Sequence, residues 1–133
     1  MVTRPKTELD YIIKMLKEQL TGGHPDFINL TIDELKLHNA KNADYARGGN
    51  PLGNFNRVSD MLNSFGLKIT PAQVAFIYMM KQVDAVGRML FGDYEGSVEG
   101  KADRLRDISI YAKLVQVLDS ESLRDTVESG GSL

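Results

Sequence analysis

The sequence predicts an all-α protein, a single-domain bundle of four to five helices with a long Gly/Asn/Pro loop between helices 2 and 3. Apolar residues recur at helical spacing along most of the 133 residues. Signals for helix starts and stops, chiefly glycines and the Thr70-Pro71 pair, separate these stretches. No segment alternates apolar and polar residues with period two over more than a few positions, so no sheet is expected.

The first two helices are predicted on either side of a glycine pair. A helix over about 5–20 carries apolar residues in the i, i+3, i+4, i+7 pattern that one buried face requires. Gly22-Gly23 ends it, and His24-Pro25 continues the loop. The sequence Thr31-Ile-Asp-Glu34 has the pattern of a capping box, which predicts a second helix over about 31–44.

The Gly/Asn/Pro loop and a third helix follow. Residues 48–53 read Gly-Gly-Asn-Pro-Leu-Gly, a composition that cannot continue a helix. A third helix is predicted from about Asn54, with Phe55 and Val58 among the apolar residues of one side, and Gly66 ends it.

A fourth and a fifth helix are predicted next, and the fourth is expected to be the most buried. Thr70-Pro71 combines an N-cap residue with proline at the first helical position, which predicts a fourth helix over about 71–90. This helix is apolar nearly all round over 74–80, as is typical of a central element. A fifth helix is predicted from 101 or 102 to 118, and 120–129 adds a short one capped by Ser120.

Composition restricts the class of protein. The net charge of −2 and the pI near 5.7 give no general attraction to nucleic acid. The chain has no cysteine, which excludes disulfides and cysteine-based metal sites. It begins without an apolar signal region, and its longest apolar run, 74–80, is too short to cross a bilayer. We therefore expect a cytoplasmic protein with neither a membrane nor a nucleic acid as partner.

Asp103 and Asp107 form the most informative pair of polar residues. They lie four residues apart, on one face of the fifth helix and beside its apolar flank. Two interpretations remain open. The acids favour the positive end of the helix dipole and pair with a nearby arginine, or they belong to a polar or metal-binding site within the bundle.

Two further groups of charged residues lie on predicted helices. Lys81, Asp84 and Arg88 follow the apolar run of the fourth helix, either as site residues or as an intrahelical pair on a half that leaves the core. Glu34 and His38 lie one turn apart on the second helix. They could ligate a divalent metal, whereas an exposed amphipathic face also explains them.

The segment 44–57 is the fourth candidate. Its glycines permit close backbone approach, and it leads into a helix N-terminus whose free N–H groups favour an anion. Arg47 and Arg57 are suited to bind phosphate in a bidentate manner. The segment lacks the lysine and hydroxyl ending of a Walker-type loop. A long inter-helix turn with asparagine caps is the structural alternative.

The same segment carries a resemblance to a known family. Asp44-Tyr-Ala-Arg-Gly-Gly-Asn-Pro-Leu-Gly-Asn-Phe-Asn-Arg-Val58 resembles a tyrosine–glycine–proline–asparagine–phenylalanine motif of small helical proteins encoded by bacteriophages and prophages. Val74 to Lys81 looks like the buried helix of that family, and Asp103 to Ala112 like its closing helix. The resemblance covers about 35–118. It divides the single domain, 1–133, into an N-terminal helix and loop (1–30), a family-like core (31–118) and a tail (119–133).

The resemblance implies a nucleotide-related role. The family, whose function is uncharacterised, is distantly similar to phage nucleotide-modification-associated proteins and to all-α nucleoside triphosphate pyrophosphatases. Those enzymes hold magnesium with two acidic pairs. Here only Asp103 and Asp107 approach such a pair, with a spacing of four instead of three.

The expected ligand is a nucleotide or another phosphorylated small molecule, which the protein either sequesters or hydrolyses with Mg²⁺. The candidate phosphate-binding residues are Tyr45, Arg47, Asn54, Arg57 and Lys81. The candidate metal or polar site comprises Asp84, Asp103 and Asp107, with Glu34 and His38 as further candidates; no catalytic residue is assigned.

The alternative is a non-catalytic phage accessory or structural protein, with a host or virion protein as partner and the charged residues as internal ion pairs. A homo-oligomer, dimer or higher, is expected in either case, with Tyr11, Ile12 and Leu16 of the first helix as a possible seam. The bacterial cytoplasm is the expected compartment.

Overall fold

The computed structural model describes residues 7–46, 52–92, 94, 96 and 99–128, without the side chains of 44–46, 126 and 128. These residues form five helices and no strand, which confirms the all-α prediction. The helices are α1 (Glu8–Gln19), α2 (Pro25–Ala46), α3 (Gly53–Ser64), α4 (Pro71–Phe91) and α5 (Lys101–Glu128). The chain divides into two compact units, residues 1–40 and 41–133.

In the first unit, α1 is an amphipathic helix with no buried residue. Thr7 caps it, because the Thr7 hydroxyl accepts a hydrogen bond from the Asp10 backbone N–H at 3.1 Å. Most of its apolar side chains leave a large part of their surface in solvent, from 36% for Met15 to 54% for Tyr11.

The predicted start of α2 at Thr31 is wrong. The helix begins at Pro25, six residues earlier, with proline at its first position. His24 assists this start, since its Nδ1 accepts a hydrogen bond from the Asp26 N–H at 3.1 Å. Thr31 therefore lies inside the helix, where its hydroxyl donates to the Phe27 carbonyl one turn earlier, at 2.8 Å.

In the second unit, the turn between α3 and α4 is fixed by hydrogen bonds. Gly66, which was predicted to end α3, adopts a φ of 94° just past the helix, a conformation that favours glycine. The buried Ser59 hydroxyl donates to the Ile69 carbonyl at 2.7 Å. The Asn63 side chain bonds both the N–H and the carbonyl of Ile69. These contacts hold α3 against the residue that leads into α4.

The predicted start of α4 is confirmed. The Thr70 hydroxyl accepts from the Gln73 N–H at 3.1 Å, and the Gln73 side chain accepts from the Thr70 N–H at 2.9 Å. This is a complete capping box followed by Pro71.

The core of the second unit lies where α3 and α5 pack on α4. Val74 and Ala75 of α4 and Leu118 of α5 expose 2% or less of their surface. Beside them the rings of Phe55, Tyr78 and Tyr111 meet, with centroids 5.8 to 6.4 Å apart in tilted and edge-on orientations. Each ring comes from a different helix, so this cluster joins all three.

The predicted division of the last region at residue 118 is also wrong. α5 runs without interruption from Lys101 to Glu128, and Ser120 is an interior position instead of a cap. Neither glycine nor proline occurs between Leu118 and Glu128, so nothing in the sequence stops the helix. The predicted Gly/Asn/Pro loop lies largely outside the described residues, since 47–51 are not among them.

Candidate functional site

Asp103 lies in the first turn of α5, where a carboxylate is favoured by the helix dipole. Its carboxylate accepts a hydrogen bond from Arg106 Nη2 at 3.2 Å and from the Gly100 N–H at 3.4 Å. Half of the side chain is exposed. These partners match the structural interpretation of Asp103 as an acid that completes a helix terminus.

Asp107, one turn further on, is the more buried acid, with 16% of its side chain exposed. Its Oδ2 accepts a hydrogen bond from Gln82 Nε2 of α4 at 3.4 Å, and its Oδ1 lies 4.0 Å from Lys41 Nζ of α2. The carboxylate is thereby held between an amide and an ammonium group. One residue each from α2, α4 and α5 contributes to this contact, and all three residues belong to the second unit.

Gln82 extends the contact to a second charged residue of α5. Its Oε1 accepts a hydrogen bond from Arg104 Nη1 at 2.8 Å, and the same Nη1 lies 3.8 Å from the Glu99 carboxylate. Only 17% of the Arg104 side chain is exposed, and its Nε is buried without a hydrogen-bond partner. We refer to Lys41, Gln82, Glu99, Arg104 and Asp107 as the polar network.

The polar network is electrically balanced, with two cations, two carboxylates and one neutral amide. Each carboxylate already faces a cation, so no excess charge of either sign is left for a ligand to neutralise. In the described part of the chain, no three His, Asp or Glu side chains converge as a metal would require. The described residues do not assemble a magnesium site by themselves, and the expected use of Mg²⁺ stays a prediction.

The predicted charged residues of α4 point away from this network. Lys81, Asp84 and Arg88 are all exposed, on the side of the helix opposite Val86. Within the described residues Lys81 and Asp84 form no salt bridge, although they lie one turn apart. Arg88 lies over the ring of Tyr94, with 5.1 Å between its guanidinium carbon and the ring centroid.

The predicted phosphate-binding residues are only partly placed by the structure. Arg47 and the Tyr45 side chain lie outside the described residues. Asn54 is half-buried in the first turn of α3, and Arg57 is exposed one turn later. The proposed pair of Arg47 and Arg57 around a phosphate therefore stays a prediction.

Glu34 and His38 lie one turn apart on α2, in the first unit. Both are half-buried, and each has an interaction partner within the protein. Neither side chain is therefore free, and their role as metal ligands stays a prediction.

Sequence reasoning missed Gln82, the residue that joins the two halves of the polar network. A helical projection contains the missing signal. At 100° per residue, Gln82 falls on the side of α4 that carries Ala75, Val86 and Met89, whereas Lys81 and Asp84 fall on the other side. A polar residue in the middle of a buried face needs partners, and Arg104 and Asp107 supply them.

None of the helices in the described residues combines the length and the apolar composition that crossing a bilayer requires. Comparison of the chain with protein-family models, with curated proteins and with solved structures found no match. The resemblance to phage-encoded proteins therefore stays a prediction made from the motifs alone.

Proposed function

We propose that this protein is a non-catalytic interaction protein that acts through its helical surfaces, with its buried charges serving as internal ion pairs. One observation carries the proposal. The Asp107 carboxylate, the best candidate for chemistry in the sequence, is occupied by Gln82 and Lys41 inside a balanced network. Asp103 is likewise occupied by Arg106. Groups held in this way fix the packing of helices and are not available to a substrate.

The distribution of apolar side chains supports the same function. Phe76, Ile77 and Met80 of α4 expose 47–53% of their surface, and α1 exposes its whole apolar face. Large apolar patches on a protein surface mark sites where another protein binds. A homo-oligomer, or a complex with a host or virion protein in a bacterial cytoplasm, is the form of interaction that we propose.

A thermal-shift screen tests this function. Nucleotides and cyclic dinucleotides are added with and without Mg²⁺, and the midpoint of unfolding is recorded. A ligand at 100 times its Kd would stabilise the fold by about 2.7 kcal/mol. We expect no shift with any of them. A shift that disappears in Asp107→Asn but persists in the matched exposed variant Asp84→Asn would overturn the proposal.

Binding of a phosphorylated small molecule is the second candidate. It is favoured by the buried Arg104 Nε, a donor that lacks an acceptor, and by the exposed cations Arg57 and Lys81. Since an arginine binds phosphate through paired N–H groups, Arg104→Lys should weaken such binding at least tenfold in a calorimetric titration. Recovery of the intact ligand after incubation with Mg²⁺ would identify sequestration and not hydrolysis.

A further inference from the structure

The outward side of α4 carries a regular apolar stripe. Its residues follow one another at intervals of four, three, four and three, which is the a/d spacing of a helix that packs along another helix. We call this stripe the outer seam; it consists of Phe76, Met80, Val83, Gly87 and Leu90. The four side chains of the seam are 47–56% exposed. Val74, Ala75 and Val86, on the remaining sides of α4, are buried.

Gly87 makes an open notch within the seam. A Cβ atom built on Gly87 meets no atom within 4 Å, so the space above this residue is free in the described structure. Glycine in the middle of a helix costs about 1 kcal/mol relative to alanine. A notch flanked by Val83 and Leu90 is suited to receive a large side chain from a partner helix.

We propose that the outer seam binds the outer seam of a second copy of this chain in antiparallel orientation, an inference that rests on the proposed interaction function. In antiparallel pairs an a position faces a d position of the partner. The register that follows sets Phe76 of each copy into the Gly87 notch of the other and Met80 against Val83. Large side chains then face small ones, as close packing of two helices requires.

Two exposed charged residues of α4 fit this register, Asp84 on the flank of the seam and Lys81 further round the helix on the same side. Lys81 and Asp84 are exposed and unpaired with each other in one chain. In the antiparallel pair, Asp84 of one copy and Lys81 of the other lie on the same flank, about 3 Å apart along the helix axis. Association thus supplies each with an opposite charge.

The exposed area is sufficient for a dimer. The seam and its neighbours expose the apolar side chains of Phe76, Ile77, Met80, Val83, Leu90 and Phe91, by 47% to 93%. At roughly 170 Å² for each fully exposed side chain, they present about 600 Å² per copy. Burial of all of it in both copies would remove at most about 1,200 Å² of apolar surface from water, the lower end of the range of specific interfaces.

Sedimentation equilibrium of the full chain tests the dimer. We expect a mass of twice 14.8 kDa at micromolar concentration. Val83→Glu and Gly87→Glu should each weaken association at least 100-fold. Because Gly87 faces open space and glutamate favours helices, Gly87→Glu should keep the fold, as circular dichroism would show. Leu123→Glu, at an exposed apolar position of α5, is the control and should remain a dimer.

The orientation can be tested because the chain has no cysteine of its own. Met80→Cys and Val83→Cys are prepared separately, mixed, and oxidised. The antiparallel register predicts mainly the mixed 80–83 disulfide, resolved by intact mass spectrometry. Products linked only through identical positions would overturn the antiparallel register.

A wild-type monomer, or a dimer that Gly87→Glu leaves intact, would overturn the outer seam as the interface. The proposed interaction function would still stand after either result, provided that nucleotides do not shift the unfolding midpoint. The partner would then be a different protein. A nucleotide shift that Asp107→Asn abolishes and Asp84→Asn keeps would overturn the proposed function, whatever the mass.

Discussion

Replacement of Gln82 by methionine, which has a similar length, should destabilise the packing of α4 on α5. Gln82 is the residue through which Arg104 and Asp107 are connected to α4. Methionine fills the same space but neither donates nor accepts a comparable hydrogen bond. The polar network would then lose both of its bonds across this helix pair.

The expected loss follows from the two contacts. The 2.8 Å bond from Arg104 Nη1 involves a charged group that is 17% exposed, and such bonds contribute about 1.5–3 kcal/mol. The 3.4 Å bond to Asp107 is long and adds about 0.5 kcal/mol. The gain in apolar burial offsets part of this. We expect a net loss of about 2 kcal/mol, or a fall in Tm of about 6–8 °C for a chain of this size.

Urea denaturation followed by circular dichroism measures the free energy of unfolding. Gln116→Met is the matched control, because Gln116 is exposed and its side chain donates only to the Ala112 carbonyl of its own helix. This control should change stability by no more than about 0.5 kcal/mol. If Gln82→Met is as stable as Gln116→Met, the polar network does not hold α4 to α5, and the structural interpretation of Asp107 fails.

Three further changes test the elements of the second unit by the same denaturation. Thr70→Ala removes the capping box of α4 and should cost about 1 kcal/mol; an unchanged value would mean that the cap is dispensable. Gly66→Ala should cost about 1 kcal/mol through its positive φ, since the added Cβ meets no atom; a gain in stability would contradict this. Leu118→Ala should cost about 2–4 kcal/mol, whereas Leu123→Ala, at a position 58% exposed, should stay within about 0.5 kcal/mol; equal losses would contradict the burial of Leu118.

Capping and helix-breaking residues predicted the ends of a helix correctly where only one such signal was present. Thr70-Pro71 predicted the start of α4, and Gly66 predicted the end of α3. They failed where two competed. His24-Pro25 was predicted to continue the loop and Thr31 to start α2, but proline is also favoured at the first position of a helix. The earlier start prevails because residues 26–30 contain no helix breaker.

The candidate site was predictable only in part, for a physical reason. The sequence places Asp103 and Asp107 on one face of α5, and they lie there. It does not determine which residues of another helix face them, because that depends on the rotation of α4 about its axis. Lys81 and Asp84 were predicted as site residues because they are charged. The rotation of α4 that buries Val74 and Ala75 instead turns Gln82 toward the interior.

The polar network and the outer seam are linked through the register of α4 on α5. Contacts among apolar side chains such as Val74 and Leu118 are not directional and tolerate a slip of one helical turn. A slip of one turn, about 5.4 Å, would separate Arg104 and Asp107 from Gln82 and break the two hydrogen bonds that join α4 to α5 in a mostly buried site. The hydrogen bonds therefore favour one register, and because they require Gln82 to face α5 they also favour the rotation of α4 that leaves Phe76 and Met80 outside. Charged residues that resemble a catalytic cluster in the sequence thus set which surface of the protein is presented to a partner.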